Sequence, residues 1–174
     1  MKKIALISDT HSFLGTDLYE HLERVDEIWH AGDVGDPEVL TRLKAIKPLK
    51  VVYGNIDGKD LRHAHPLNEI FTCEGVKVLI THIGGYPGRY TKRVYGLLMK
   101  EKPDLYICGH SHICKVVRDN KMNLLHMNPG ACGIEGFHRY RTMLLFNCDD
   151  GEVKDLRLVE LGLKVEAPGL SKAR

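Results

Sequence analysis

The chain has 174 residues, 43% apolar and 28% charged, with 25 basic and 23 acidic side chains and a net charge of +2. This composition excludes a disordered or collagen-like chain and gives no global attraction to nucleic acid or anionic membrane. It predicts one domain, residues 1–174, with a core large enough to need no disulfide or structural zinc. Five cysteines without a CxxC pair predict free, mostly buried thiols in a reduced, cytoplasmic protein, and no apolar run is long enough for a signal peptide or membrane helix. One count stands out: ten His against one Trp and four Phe, and His is the side chain most often recruited to metals and proton transfer.

In chain order, residues 4–7 form an apolar run that predicts a buried strand ending in Ser8-Asp9-Thr10-His11. Residues 16–24 are amphipathic and predict a helix. Glu27–His30 is a second strand, followed by Ala-Gly-Asp33. Asp36-Pro37 is a helix start, residues 38–47 continue the helix, and Pro48 closes it. Residues 50–53 form a third strand ending in Gly54-Asn55-Ile56-Asp57. The order β-α-β-α-β predicts a parallel sheet with crossover helices. Asn68–Cys73 and Val76–Thr81, joined by Glu74-Gly75, predict a hairpin, with His82 and a Gly/Pro loop behind it. Residues 91–102 predict a helix stopped by Pro103, and residues 104–108 a strand ending in Gly109-His110-Ser111-His112. Residues 114–161 read as a β-meander with turns at Asp119-Asn120 and at 149–151, and residues 162–174 as a loose tail.

Five of these strands stop at a metal-capable side chain: Asp9 with His11, Asp33, Asn55, His82, and His110 with His112. In open α/β sheets ligands bind at the carboxyl ends of strands, so these residues can converge on one edge. Asp-x-His alone is a weak pattern. Gly-His-x-His is expected only about 0.06 times by chance at this composition. Carboxylate, amide and imidazole donors without thiolate suit Mn²⁺, Fe, Zn²⁺, Co²⁺ or Ni²⁺. Seven such groups are too many for one tetrahedral ion. They suit two ions sharing a carboxylate and a hydroxide, a clamp for displacement at phosphorus.

The ordered set Asp9-x-His11, Gly32-Asp33, Gly54-Asn55, Thr81-His82 and Gly109-His110-x-His112 resembles the calcineurin-like metallophosphoesterase superfamily. The small size, the GNID segment and Asn128-Pro129-Gly130 resemble its YfcE-type phosphodiesterases. The resemblance covers residues 3–158 and implies a four-layer αββα sandwich of mixed β-sheets with flanking helices. It implies one metal on Asp9, His11 and His112, a second on Asn55, His82 and His110, and Asp33 bridging both. It further implies a bridging hydroxide as nucleophile, with Asp33, Asn55 and His82 as the catalytic set and Asn55 orienting the phosphoryl group. The implied metals are two divalent ions, Mn²⁺ before Zn²⁺, Ni²⁺, Co²⁺ or Fe. The implied substrate is a small phosphodiester, short or cyclic nucleotides included, and a homo-oligomer is compatible with it. Three positions depart from the superfamily pattern. Ile56 stands where many members carry a His that aids the leaving group. Ile83 follows the ligand His where relatives carry Gly-His, and Ala131 follows Asn-Pro-Gly where Ser is common.

Residues near these motifs are candidates for support or substrate contact: Asp57, Asn128, Arg89 and His138, with Lys92, Arg93, Arg139 and Arg141 as further cations. His30 reads as structural, His63 and His65 as solvated loop residues, and the cysteines as small apolar residues rather than nucleophiles. Two other functions fit the same fold: a binding module like the retromer scaffold subunit, and a nuclease. An intact ligand set argues against the first. A net charge of +2 with 7% aromatic residues argues against the second.

Overall fold

The computed structural model describes residues 1–166, so most of the expected loose tail lies outside the described residues. Ten strands form two sheets. β1 (Lys2–Ile7), β2 (Glu27–His30), β3 (Leu49–Val51), β9 (Tyr140–Asp149) and β10 (Glu152–Leu163) make one, ordered β10-β9-β1-β2-β3. β4 (Asn68–Cys73), β5 (Val76–Thr81), β6 (Leu105–Ile107), β7 (Cys114–Asp119) and β8 (Leu124–Pro129) make the other, ordered β4-β5-β6-β8-β7. Both sheets are mixed. β1, β2 and β3 run parallel, as do β5, β6 and β8, with antiparallel strands outside them. Gly162 and Leu163 close β10, and a 3-10 turn follows at Lys164–Glu166.

Strand alternation assigns the layers. Along β1, Ile4 and Leu6 point to the interior between the sheets, where they meet Val78 and Ile80 of β5, Leu105 and Ile107 of β6, and Trp29. Ala5 and Ile7 point the other way, onto Leu18, Leu22, Val39, Leu40, Leu43 and Leu61. Those residues come from α1 (Tyr19–Leu22) with the 3-10 turn before it, α2 (Glu38–Ile46) and α3 (Lys59–Ala64). On the second sheet Leu79 and Tyr106 face outward, onto Val94 and Leu98 of α4 (Lys92–Glu101). The result is the αββα sandwich.

Some sequence expectations change. The meander is two hairpins in two sheets: β7 pairs with β8 beside β6, whereas β9 and β10 cross to the first sheet beside β1. Adjacent apolar strands give no local sign of which sheet they will join. The helix expected over residues 16–24 is a 3-10 turn (Thr16–Leu18) and one α turn. The polar stretch holding His63 is helical, as α3. Among the described residues no helix is long and apolar enough to cross a membrane.

Two buried histidines, His30 and His126, are held neutral by burial. His30 Nδ1 accepts from the Gly32 N–H at 3.1 Å, so its proton sits on Nε2 and is donated to Thr10 Oγ1 at 3.0 Å. Thr10 Oγ1 passes a hydrogen bond to the Val34 carbonyl at 2.9 Å, tying the loops after β1 and β2 together. Burial pushes the His30 imidazole down to about 4. Burial, with Lys115 nearby, does the same to His126, which stacks on Tyr106. Between pH 6.5 and about 4 the unfolded chain therefore binds protons that the folded chain refuses, and stability falls as pH drops. Urea unfolding with chelator present, at pH 7 and pH 4.5, is expected to show His126→Phe losing about 2 kcal/mol less than the parent over that interval. Equal losses would show that His126 accepts its proton in the folded state.

Candidate metal centre

The carboxyl ends of β1, β2, β3, β5 and β6 lie along one edge, and the loops leaving them are stitched together. The Asp9 N–H donates to the Gly32 carbonyl at 3.0 Å, the His11 N–H to Asp33 O at 3.1 Å, and the Gly109 N–H to His82 O at 3.0 Å. Each of the two acidic residues is anchored through one oxygen. Asp9 Oδ2 accepts from the His110 N–H at 3.2 Å, and Asp33 Oδ1 from the Ile56 N–H at 3.0 Å. The other oxygens face imidazoles. Asp9 Oδ1 lies 3.2 Å from His112 Nε2, 3.9 Å from His82 Nε2 and 4.0 Å from His11 Nε2. Asp33 Oδ2 lies 3.2 Å from His82 Nε2 and 3.5 Å from His11 Nε2.

Two of the histidines are oriented from behind. His82 Nδ1 donates to the Ala31 carbonyl at 2.8 Å, which leaves Nε2 as a bare lone pair. His138 Nε2 donates to the Gly133 carbonyl at 3.0 Å, so its Nδ1 accepts from His112 Nδ1 at 3.3 Å and His112 Nε2 is bare too. Asp9 Oδ1, His11 Nε2 and His82 Nε2 are buried without a hydrogen-bond partner among the described residues. An unpaired buried polar atom costs about 1–3 kcal/mol. Three of them within about 4 Å of Asp9 Oδ1, on carboxylate and imidazole groups, fit a site for cations. Asp9, His11 and His112 form one group able to hold a metal ion, and Asp33, His82 and His110 a second, with ligand atoms within 4.8 Å of one another in each.

Backbone strain collects at the same place. Asp9, His11, Asp33, His110 and His112 have φ of 55°, 46°, 55°, 69° and 58°, in the left-handed region. Each such residue costs about 1 kcal/mol or more, and Asp and His are among the few side chains that tolerate it. Two glycines are required by close approach. A Cβ on Gly54 would sit 2.0 Å from Asp33 Oδ1, and one on Gly32, whose φ is +96°, would sit 2.7 Å from the His82 side chain. The Gly that precedes Asp33 therefore makes room for His82, and the Gly that precedes Asn55 makes room for Asp33.

The electrostatics favour a cation. Burial works against charge on His82, but the Asp33 and Asp9 carboxylates beside its Nε2 hold it above the usual imidazole range. The Asp9 carboxylate raises His112. Burial would raise Asp33, and His82 and the Ile56 N–H bring it below the usual carboxylate range. Burial and the neighbouring His82 lower His110.

The remaining predicted residues divide. Asn55 is exposed and lines a cleft with His82. Asp57 is buried and accepts from the Gly35 and Gly54 N–H groups at 2.9 and 2.7 Å, so it ties the loops that carry Asp33 and Asn55. Asn128 donates to the Gly109 carbonyl at 2.8 Å and Ser111 Oγ at 3.1 Å, bracing the Gly-His-Ser-His turn. Arg89 is exposed and borders neither cleft beside the centre. Arg141 is fully buried on Asp17 at 2.6 and 3.0 Å, which removes it from substrate contact. Burial pushes the Cys108 and Cys132 thiols up to about 12, so neither supplies a thiolate. Sequence reasoning missed Arg62, which donates to the Asp57, Gly54 and Asn55 carbonyls and clamps the GNID turn. Gly58 followed by Lys59-Asp60 was its available signal as a helix start.

Comparison with known proteins identifies the family and the fold. The profile of the calcineurin-like phosphoesterase superfamily domain matches residues 1–151. A probable metallophosphoesterase of Methanothermobacter thermautotrophicus is 31% identical over 170 residues, covering 93% of this chain and 94% of its own. Among solved structures, an archaeal phosphodiesterase superposes with TM-score 0.67 at 21% identity, over 91% of this chain and 99% of that one. Vps29 from Entamoeba histolytica complexed with Zn²⁺ superposes with TM-score 0.68 at 17% identity, over 91% and 98%. The chain belongs to the calcineurin-like phosphoesterase superfamily.

Proposed function

We propose that this phosphoester hydrolase is a two-metal phosphodiesterase acting on small phosphodiesters. The observation that carries this reading is the pair of adjoining ligand groups: Asp33 Oδ2 stands 3.5 Å from His11 of one group and 3.2 Å from His82 of its own. Asp9, His11 and His112 would hold one divalent ion, Asn55, His82 and His110 the other, with Asp33 between them. Mn²⁺ suits these oxygen and imidazole donors, and Zn²⁺, Ni²⁺, Co²⁺ or Fe are accepted by the same set. Two such ions supply Lewis-acid charge neutralisation and an activated water.

The chain's own residues do the rest. The Ala31 carbonyl and His138 keep the protons of His82 and His112 on the ring nitrogens turned away from the site. Arg62 fixes the turn that presents the Asn55 amide, a donor for a phosphoryl oxygen. Ile56 offers no proton to a departing oxygen, which favours esters whose leaving group is stable as an anion. Each of the two ligand groups keeps a carboxylate and two imidazoles, which favours a hydrolase over a binding module of this fold.

With Mn²⁺ loaded, the protein is expected to hydrolyse bis(4-nitrophenyl) phosphate and to hold about two ions per chain by elemental analysis. Asp33→Asn is expected to lower kcat/KM by about a thousandfold. An intact protein with two ions and no diester hydrolysis would overturn the reading. His138→Ala is expected to weaken metal binding about tenfold or more in chelator competition, because His112 loses the acceptor that sets its tautomer. Unchanged affinity would remove His138 from that role.

A further inference from the structure

A cleft of about 350 Å³ opens beside Asn55 and His82, walled by Tyr53, Arg62, Thr91 and Arg93 and by the half-exposed Leu67 and Ile83. Both arginines are held in place by neutral acceptors. Arg62 Nε and Nη2 donate to the Asp57, Gly54 and Asn55 carbonyls, and its guanidinium lies 5.0 Å from the centre of the Tyr53 ring. Arg93 donates to Asn68 Oδ1, to Thr81 Oγ1 at 3.0 Å and to the Ile83 carbonyl at 2.8 Å. Neither pairs with a carboxylate among the described residues. Arg62 Nη1 and Arg93 Nε therefore keep free N–H donors, and both charges stay uncompensated.

The helix end beside the cleft has the same bias. α4 begins at Lys92, capped by Thr91 Oγ1, and carries no acidic residue in its first turn. Helix N-termini favour negative charge. Here Lys92 and Arg93 occupy that turn instead, so the dipole adds to the positive field. Elsewhere in the protein first turns are acidic: Glu38 stands in that of α2 and Asp60 in that of α3. Two immobilised guanidinium groups with free donors, a basic helix start and an apolar wall of Leu67 and Ile83 match a ligand with a short apolar arm ending in an anion.

We propose that this cleft is a specificity site for a carboxylate or phosphate carried on one ester arm of the substrate. The inference rests on the phosphodiesterase reading and adds a substrate class to it. A substrate bound there keeps its phosphodiester at the metal centre and its second anion against Arg62 and Arg93.

The test uses 4-nitrophenyl phosphodiesters whose second arm is a butyl chain ending in a carboxylate, a phosphate or a neutral methyl ester, with the Mn²⁺-loaded protein. The anionic arms are expected to raise kcat/KM about tenfold or more over the neutral ester, and the better of the two identifies the anion. In Arg93→Gln that ratio is expected to fall to near one, and in Arg93→Lys to be partly kept. Because the readout is a ratio, a general loss of activity does not imitate it. Equal kcat/KM for all three arms in the parent, or a ratio unchanged in Arg93→Gln, overturns the proposal. If no ester is hydrolysed, the phosphodiesterase reading has failed on its own. Calorimetric binding of the matching methylphosphonates then decides the cleft: tighter binding of the anionic arms sustains it, and equal affinities overturn it.

Discussion

Asp9 and Asp33 are each tied by one carboxylate oxygen to a backbone N–H from a distant loop, and the remaining structure depends on that division of labour. The His110 N–H holds Asp9 Oδ2, and the Ile56 N–H holds Asp33 Oδ1. The free oxygens then have only one direction to face, toward the bare nitrogens of His11, His82 and His112. A carboxylate with both oxygens free would rotate. One with both oxygens bonded would have fewer lone pairs left for a cation. The same two bonds connect the first sheet's loops with the turn after β6 and join the turn after β2 to the turn after β3, so the site and the loop cluster hold one another.

Maintaining that arrangement requires unfavourable backbone. Five residues of the candidate site sit in the left-handed region, and three candidate ligand atoms are buried without hydrogen-bond partners among the described residues. Both penalties are of the size of ordinary single-residue effects, about 1–3 kcal/mol each. They persist because the surroundings are over-determined. The core between the sheets, from Ile4 and Leu6 to Ile80 and Ile107, fixes the strand ends, and His30, Asp57 and Asn128 cross-link the loops by buried hydrogen bonds. None of these three hydrogen-bonds to a candidate ligand side chain among the described residues. Each sets where a ligand-bearing turn lies.

Local chemistry was legible where a short motif carried its own geometry. The hairpin Asn68–Cys73 and Val76–Thr81 has the residue bounds expected from its apolar pattern and Glu74-Gly75 turn. Pro37 stands at the N-cap of α2, and Asp36 Oδ1 just before it accepts from the Glu38 N–H at 2.9 Å, so the Asp-Pro pair marks the helix start as the sequence predicts. The Gly-Asp and Gly-Asn pairs were visible as motifs, but their reason was not. Gly32 is small because His82 packs on it, and Gly54 because Asp33 does. The helix Lys59–Ala64 was missed because six residues hold only one buried apolar contact, Leu61, too few to show a period.

By itself the sequence determined the strand ends, the donor types and their order, since a polar residue after a buried strand and a glycine beside it are local choices. Tertiary structure alone decided which groups meet. It split residues 114–163 between two sheets, paired His138 with His112, removed Arg141 to Asp17, and brought Arg62 and Arg93 to one cleft beside Asn55. The reason is physical. Alternation and capping act over a few residues, whereas sheet membership and the direction of a long side chain follow from contacts between segments far apart in sequence, which no local pattern encodes.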